Sequence, residues 1–335
     1  MRNHLLASAL VVASVFPATV SFARQSTVYA SVLSTRLFVV GAPNPSTGLF
    51  FQNPPDDTLW RHSGRNNIRA FGLAVHAPSR GQLIYIASGN GAHRTTDGGA
   101  SWKISTGWNI TEVLGVAIDP KNPNNVYLCT AYGMFKTTDG GEHWREMNGG
   151  LSARFVSSIV IDHSNSDIVF CSTEDGVYRS DAGGRDWKRT GLNVGGVRIL
   201  TQHPQLSEIL FAGTENHGIF ITRNGGTSWE KIEAGLDHQT FYTIAFDPGK
   251  PDTMYAGGFA TGVYKSVDGG KNWKRTSNGL TNLNVHSIAV NPTNGNQVYA
   301  ATMWSGIFRS DNAGDTWRNA GLDGSQVWTI TIQPF

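Results

Sequence analysis

Thr95-Thr96-Asp97-Gly98-Gly99-Ala100-Ser101-Trp102 is a turn-forming run closed by a large aromatic, and the chain repeats it. Residues 137–144, 180–187, 222–229, 266–273 and 310–317 follow the same pattern, Ser/Thr-x-Asp-x-Gly-x-x-Trp. Asn224 and Asn312 stand in the Asp slot of two copies, and Ala182 in that of a third, where Asp181 sits one place early. Successive tryptophans are 42, 43, 42, 44 and 44 residues apart. A further 42 residues before Trp102 lies Trp60, the end of a degenerate copy that starts at Asn53 and has Pro55 in the Asp slot. Seven units at a fixed period describe one supersecondary unit that buries its apolar faces against its neighbours.

Each unit holds four short apolar or alternating runs separated by turn residues, which is the strand signal. In the third complete unit strand A is expected at Val156–Ile161, B at 168–171, C at 177–180, and D from Trp187 to just before Gly191. Four strands in about 43 residues is the period of a β-propeller blade. The first unit begins at strand B, read at residues 37–41, and the chain finishes on a lone strand A, Val327-Trp328-Thr329-Ile330-Thr331-Ile332. The expected fold is therefore all-β: a seven-bladed propeller of four-stranded blades, with N-terminal strands joining a C-terminal strand to remove the open edge.

Composition agrees with a globular chain and narrows its function. Of 335 residues, 39% are hydrophobic and 16% charged, too apolar for disorder. A net charge of +2 lacks the basic excess of a nucleic-acid binder. The two cysteines form neither a disulfide framework nor a CxxC or His/Cys zinc motif, so no metal or cofactor is expected. Their strand B slot holds Ala87, Ala212, Gly257 and Ala301 in other units, so it asks only for a small side chain. Residues 1–23 read as a signal peptide: a basic start, an apolar run, and Ser21-Phe22-Ala23 before the cleavage point. The run is too short and too interrupted for a transmembrane anchor. The expectation is a secreted or periplasmic monomer whose residues 24–335 are propeller.

The repeats resemble the Asp-box, or BNR-repeat, propellers on the residues already quoted. Those families include sialidases, sortilin-type receptors, family-74 xyloglucanases and photosystem II assembly and stability factors. The resemblance implies that Asp97, Asp139, Asp268, Asn224 and Asn312 cap turn N–H groups. It implies also that Trp102, Trp144, Trp187, Trp229, Trp273 and Trp317 pack between blades. These residues are hairpin staples and say little about function. The Ala182 hairpin is expected to be looser.

Slots that vary between units are free for chemistry. Strand order puts the A-to-B and C-to-D turns, boxes included, at one end of the ring and the B-to-C and D-to-A loops at the other. Three tryptophans outside the boxes, Trp108, Trp304 and Trp328, fall at that second end. The leading slot of strand A holds Phe71, Leu114, Ser157, Arg198, Tyr242, His286 and Trp328, the most varied set at any strand position. Arg198, Tyr242, His286 and Trp328 come from consecutive blades and should form an arc around the axial mouth. Tyr132, Phe259 and Trp304 are expected to flank it, with Glu174, Glu215, His217 and His238 as polar neighbours. The outer strands carry a cationic girdle: Arg94, Lys136, Arg179, Lys265 and Arg309 before the box, and Lys103, Arg145, Lys188, Lys274 and Arg318 after its Trp. Such charges guard sheet edges against association or meet an anionic partner.

Two functions fit. One is a non-catalytic platform that binds a protein segment or glycan at the end opposite the boxes. The other is a glycoside hydrolase, which needs two carboxyl groups about 5 to 9.5 Å apart. Glu112, Glu174, Asp175, Glu215, Asp237 and Asp323 are the candidates at that end, and none forms a recognisable pair. The chain lacks the Phe/Tyr-Arg-Ile-Pro segment of sialidases, and a single propeller lacks the two-propeller cleft that the family-74 resemblance implies.

Overall fold

The computed structural model describes residues 26–36, 46–53, 59–65 and 68–334; residues 1–23, expected to be a signal peptide, the 37–41 run and Pro55 lie outside them. The described residues form seven four-stranded antiparallel sheets and one short 3-10 turn, Ala77–Ser79. Among them no helix is long and apolar enough to cross a membrane. The innermost strands are Ala70–Val75, Val113–Ile118, Val156–Ile161, Val197–Gln202, Phe241–Asp247, Val285–Val290 and Ser325–Pro334, which define blades 1 to 7. Each touches the next, and the seventh touches the first, so the ring is closed. Blade 3 shows the repeating order: Val156–Ile161, Val169–Thr173, Gly176–Ser180 and Lys188–Arg189. Its second strand is buried at all five positions, which is why such segments read as apolar runs, whereas its two-residue outer strand is exposed.

Blade 7 closes the ring. Ser325–Pro334 pairs antiparallel with Ser26–Thr35, from Ser26 opposite Pro334 to Thr35 opposite Ser325, and Gly48–Gln52 and Arg61–Ser63 follow. The second strand of this blade is thus Ser26–Thr35, not the 37–41 run expected from sequence. The reason is register: only a ten-residue segment matches the terminal strand along its whole length, and Val28, Ala30 and Val32 bury against blade 6.

Blades are joined by side chains that reach across the seams. The Nε1–H of Trp144, Trp187 and Trp317 donates to the carbonyls of Ser105, Met147 and Thr276 in the preceding blade, at 2.9, 2.8 and 2.7 Å. Trp229 Nε1 reaches the Thr190 hydroxyl at 3.2 Å, and Trp60 bonds Ala320 O at 2.7 Å across the closing seam. Trp102 and Trp273 bond their own box turns. The hydroxyls of Tyr85, Tyr127 and Tyr255 donate to box-turn carbonyls of the following blade. Near the axis, Ser158, Thr243 and Ser287 accept from Leu200, Ile288 and Ile330 N–H groups, while Thr201 and Thr329 donate to Ile244 and Phe71 carbonyls.

The box turns are built by two side chains each. The Thr95 hydroxyl accepts from Gly99 N–H at 2.9 Å, and Asp97 Oδ1 accepts from Ser101 N–H at 2.9 Å. Bonds from the Ser101 hydroxyl and N–H hold the Asp97 carboxyl far below the carboxylate range, and those from Asn272 hold Asp268 at about 2. Ala182 cannot make these bonds. The hairpin nonetheless keeps the same turn, because the Ser180 hydroxyl caps Ala182 and Gly184 N–H at 3.2 and 3.0 Å, and Asp181 pairs with Arg179 instead.

Trp317 is 5% exposed and bonds Thr276 O, whereas Trp108 is fully exposed. Trp317→Ala should cost about 3–5 kcal/mol in chemical denaturation, and Trp108→Ala less than about 0.5 kcal/mol.

Candidate functional site

The seven leading-slot residues share a backbone feature that sequence alone did not show. In every innermost strand the ladder slips by one residue at this slot. Val197 faces Thr214 and Ile199 faces Gly213, which leaves Arg198 without a cross-strand partner, and the same slip isolates Phe71, Leu114, Ser157, Tyr242, His286 and Trp328. A bulge of this kind bends the strand and re-aims one side chain. Repeated around the ring, it directs all seven into one cavity of about 450 Å³ at the axial mouth. The same seven also line a deeper cavity of about 230 Å³, so they form a collar between a vestibule and the channel below it.

One side of the collar is aromatic. Phe71 meets Trp328 edge-on at 6.0 Å between ring centroids, Trp328 meets His286 at 4.5 Å, and His286 stacks on Tyr242 at 5.2 Å and 24°. Such pairs are worth about 0.5–1.5 kcal/mol each beyond area burial and hold the rings in fixed orientations. His286 is 8% exposed, and its Nε2 is buried without a hydrogen-bond partner. Burial pushes its pKa down to about 4, so the ring is neutral at pH 7 and serves as a flat, weakly polar wall.

The other side is charged. Arg198 Nε donates to Glu215 Oε2 at 2.9 Å, its Nη2 makes a second bond to that oxygen, and its guanidinium lies 5.8 Å from the Phe155 ring centroid. Both partners are about one-third exposed, so the pair contributes no more than about 1 kcal/mol to stability and is free to exchange partners. Burial raises the Tyr242 phenol pKa, with Glu215 adding to the shift and Arg198 opposing it, which keeps Tyr242 a neutral donor.

The structure brings Arg198, Tyr242, His286, Trp328 and Glu215 together and leaves the other expected residues outside the cavity. Trp304 occupies the same hairpin but turns away in a left-handed conformation, φ 69°, beneath the Arg36 guanidinium at 5.5 Å; Met303 lines the cavity in its place. Tyr132 and Phe259 are exposed at hairpin tips, and Trp108 projects from a D-to-A loop at the same end of the ring. Glu174 and His217 are exposed. His238 Nδ1 lies 2.7 Å from an Asp237 carboxyl oxygen and 3.1 Å from the Tyr264 hydroxyl. Phe155, Met303 and Gln326 were missed, because each neighbours a leading slot or hairpin without showing a periodic signal. Glu215 is the sole carboxylate among the described residues that line the cavity; Asp175 and Asp323 bond Tyr178 and Asn319 elsewhere.

No protein-family model matches the chain, and no curated protein does. Solved structures do. A GH74 enzyme of Niastella koreensis superposes with a TM-score of 0.63 at 20% identity, over 77% of this chain and 45% of its own. An ancestral GH74 enzyme gives 0.63 at 22% identity, over 75% and 38%. YCF48 bound to a D1 peptide gives 0.57 at 19% identity, over 74% and 81%. The chain thus spans less than half of either GH74 enzyme and most of YCF48. At these identities the likeness is one of fold.

His286 should titrate near pH 4 by NMR. Its lowered folded-state pKa means that the unfolded chain binds a proton the folded one refuses, so stability is lost as pH falls from about 6.5 towards 4. His286→Phe should remove that share of the acid sensitivity, which for a shift of this size is roughly 3 kcal/mol.

Proposed function

We propose that this protein is an exported, non-catalytic binding platform that receives a protein segment or glycan at the axial mouth opposite the box turns. The carrying observation is the collar: seven bulged side chains from seven blades converge on one cavity, with an aromatic arc on one side and the Arg198–Glu215 pair on the other. Ring faces accept apolar side chains or sugar C–H faces, and the ion pair and Tyr242 offer directional polar contacts. The fold neighbour YCF48 was solved with a peptide of D1, which supports a polypeptide ligand.

The hydrolase reading has less support. Glycoside hydrolysis uses two carboxyl groups flanking the scissile bond, and among the described residues the lining of this cavity holds one, Glu215. The outer aromatics Trp108, Tyr132 and Phe259 extend the same end of the ring and can widen the contact surface.

The test is a peptide and glycan array probed with the protein, followed by titration of the strongest hit. Trp328→Ala and Arg198→Ala should each weaken that hit by about 2 kcal/mol, roughly thirtyfold, with the melting temperature close to wild type in Arg198→Ala and a few degrees lower in Trp328→Ala, which loses two aromatic pairs. Trp304→Ala should weaken it by less than threefold. Turnover of an oligosaccharide that is lost in Glu215→Gln would overturn the reading in favour of an enzyme.

A further inference from the structure

The box end of the ring holds a second, chemically different feature, visible when one seam is compared with its equivalents. The sixth residue of a box faces the outer strands of the preceding blade. In blade 2 this residue is Glu142, which pairs with Arg94 at 3.1 Å and Lys103 at 2.5 Å of blade 1. In blade 6 it is Asp315, which reaches Lys265 of blade 5 at 3.5 Å. In blade 3 it is Arg185, opposite Lys136 and Arg145 of blade 2, the counterparts of Arg94 and Lys103. Ala100, Thr227 and Lys271 fill the slot in blades 1, 4 and 5, and at the seam between blades 2 and 3 three cations meet where Glu142, one seam earlier, neutralises two.

These cations line a cleft of about 390 Å³ between the two box turns. None of the three forms an ion pair among the described residues. Lys136 Nζ donates to Gly183 O at 3.1 Å and lies 4.7 Å from the Tyr127 ring centroid; Arg185 Nε donates to Ala182 O at 3.2 Å. Lys136 and Arg185 are thus tied to backbone carbonyls of the blade 3 box turn, and each of these bonds leaves further N–H groups for a ligand. Two carboxylates also line the cleft: Asp139 is bonded by Thr137, His143 and the Glu142 N–H, and Asp167 attracts the Lys136 ammonium, which leaves Arg145 and Arg185 as the cations in excess. The departure at Ala182 completes the site. An aspartate there, as at Asp139 one blade earlier, would put a carboxylate on the cleft wall, and alanine leaves the wall uncharged.

We propose that this cleft between blades 2 and 3 is an oxyanion site for a sulfate or phosphate group, with Arg145, Arg185 and Lys136 as its ligands. A tetrahedral oxyanion supplies several acceptors at once to forked guanidinium donors and a point-charged ammonium. The group can come from a free inorganic ion or from a sulfated polysaccharide, and the site is independent of the axial mouth at the opposite end.

Calorimetric titration of the protein with inorganic sulfate, inorganic phosphate and a heparin-derived octasaccharide tests this. Saturable binding is expected, weakening with added sodium chloride. R185E, which recreates the charge pattern of the Glu142 seam, and A182D, which restores the missing carboxylate, should each lower affinity at least tenfold without lowering the melting temperature. R185Q gives a milder change should R185E fold poorly, and Trp328→Ala should leave affinity unchanged. If the octasaccharide binds much more tightly than the inorganic ions, the polysaccharide is the source; if it gains nothing, the free ion is. Octasaccharide affinity unchanged in both R185E and A182D, or no binding of any probe, overturns the proposal.

Discussion

Ring closure is the constraint on which the rest depends. A row of stacked blades leaves one apolar face and one strand edge exposed at each end, and both are liabilities in water. Pairing Ser325–Pro334 with Ser26–Thr35 removes them in a single step and seats Val28, Ala30, Val327 and Ile330 in one cluster with blade 6. The Trp60 bond to Ala320 and the Thr329 bond to Phe71 then seal the two sides of the closing blade. Once the circle is complete, seven innermost strands must converge on an axis. Small and hydroxyl side chains at Gly72, Gly115, Ser158, Thr243, Ser287 and Thr329 let them approach closely or bond their neighbours.

The mouth follows from that convergence. Strands that meet near an axis cannot all carry inward side chains at their ends without crowding, and a one-residue slip relieves this by lifting one side chain out of the ladder. Because the slip lies at the same slot in all seven blades, the lifted residues are released from pairing and are held at a common depth. That explains why this slot accepts leucine, serine, arginine, histidine and tryptophan alike, while the flanking positions stay small or aliphatic in every blade but the fifth, where Phe241 precedes the slot. Variation in the slot costs little in fold stability, so the collar can be shaped for a ligand.

The two ends of the ring differ for a related reason. Box turns at one end are tied down by Ser/Thr and Asp side chains and by tryptophans that cross the seams, so their residue types repeat. The capping Ser/Thr and the Trp are the uniform positions, whereas the sixth box residue differs in every clear copy. Ala182 and Arg185 occur in a single turn, and with Lys136 and Arg145 they line a cleft where Glu142, one seam earlier, pairs with both facing cations. The loops at the other end lack such ties, which is where Trp108, Tyr132 and Phe259 find room to be exposed.

Much of this was legible in the chain itself. The repeat period, the four runs per unit and the complementary ends determine an all-β ring of seven blades, because each follows from local turn chemistry and from apolar runs that must be buried. The convergence of Arg198, Tyr242, His286 and Trp328 was legible too, since equivalent slots in a closed ring face one axis. What only tertiary structure decided depends on register and on neighbours distant in sequence. The second strand of the closing blade is Ser26–Thr35 because it alone matches the terminal strand in length. Met303, not Trp304, faces the cavity because the backbone turns left-handed at Trp304. Glu215 is engaged by Arg198, seventeen residues away in the chain, because a bulge aims the guanidinium across its own blade. Periodicity reports which face a residue occupies, whereas a one-residue slip in pairing decides what it touches.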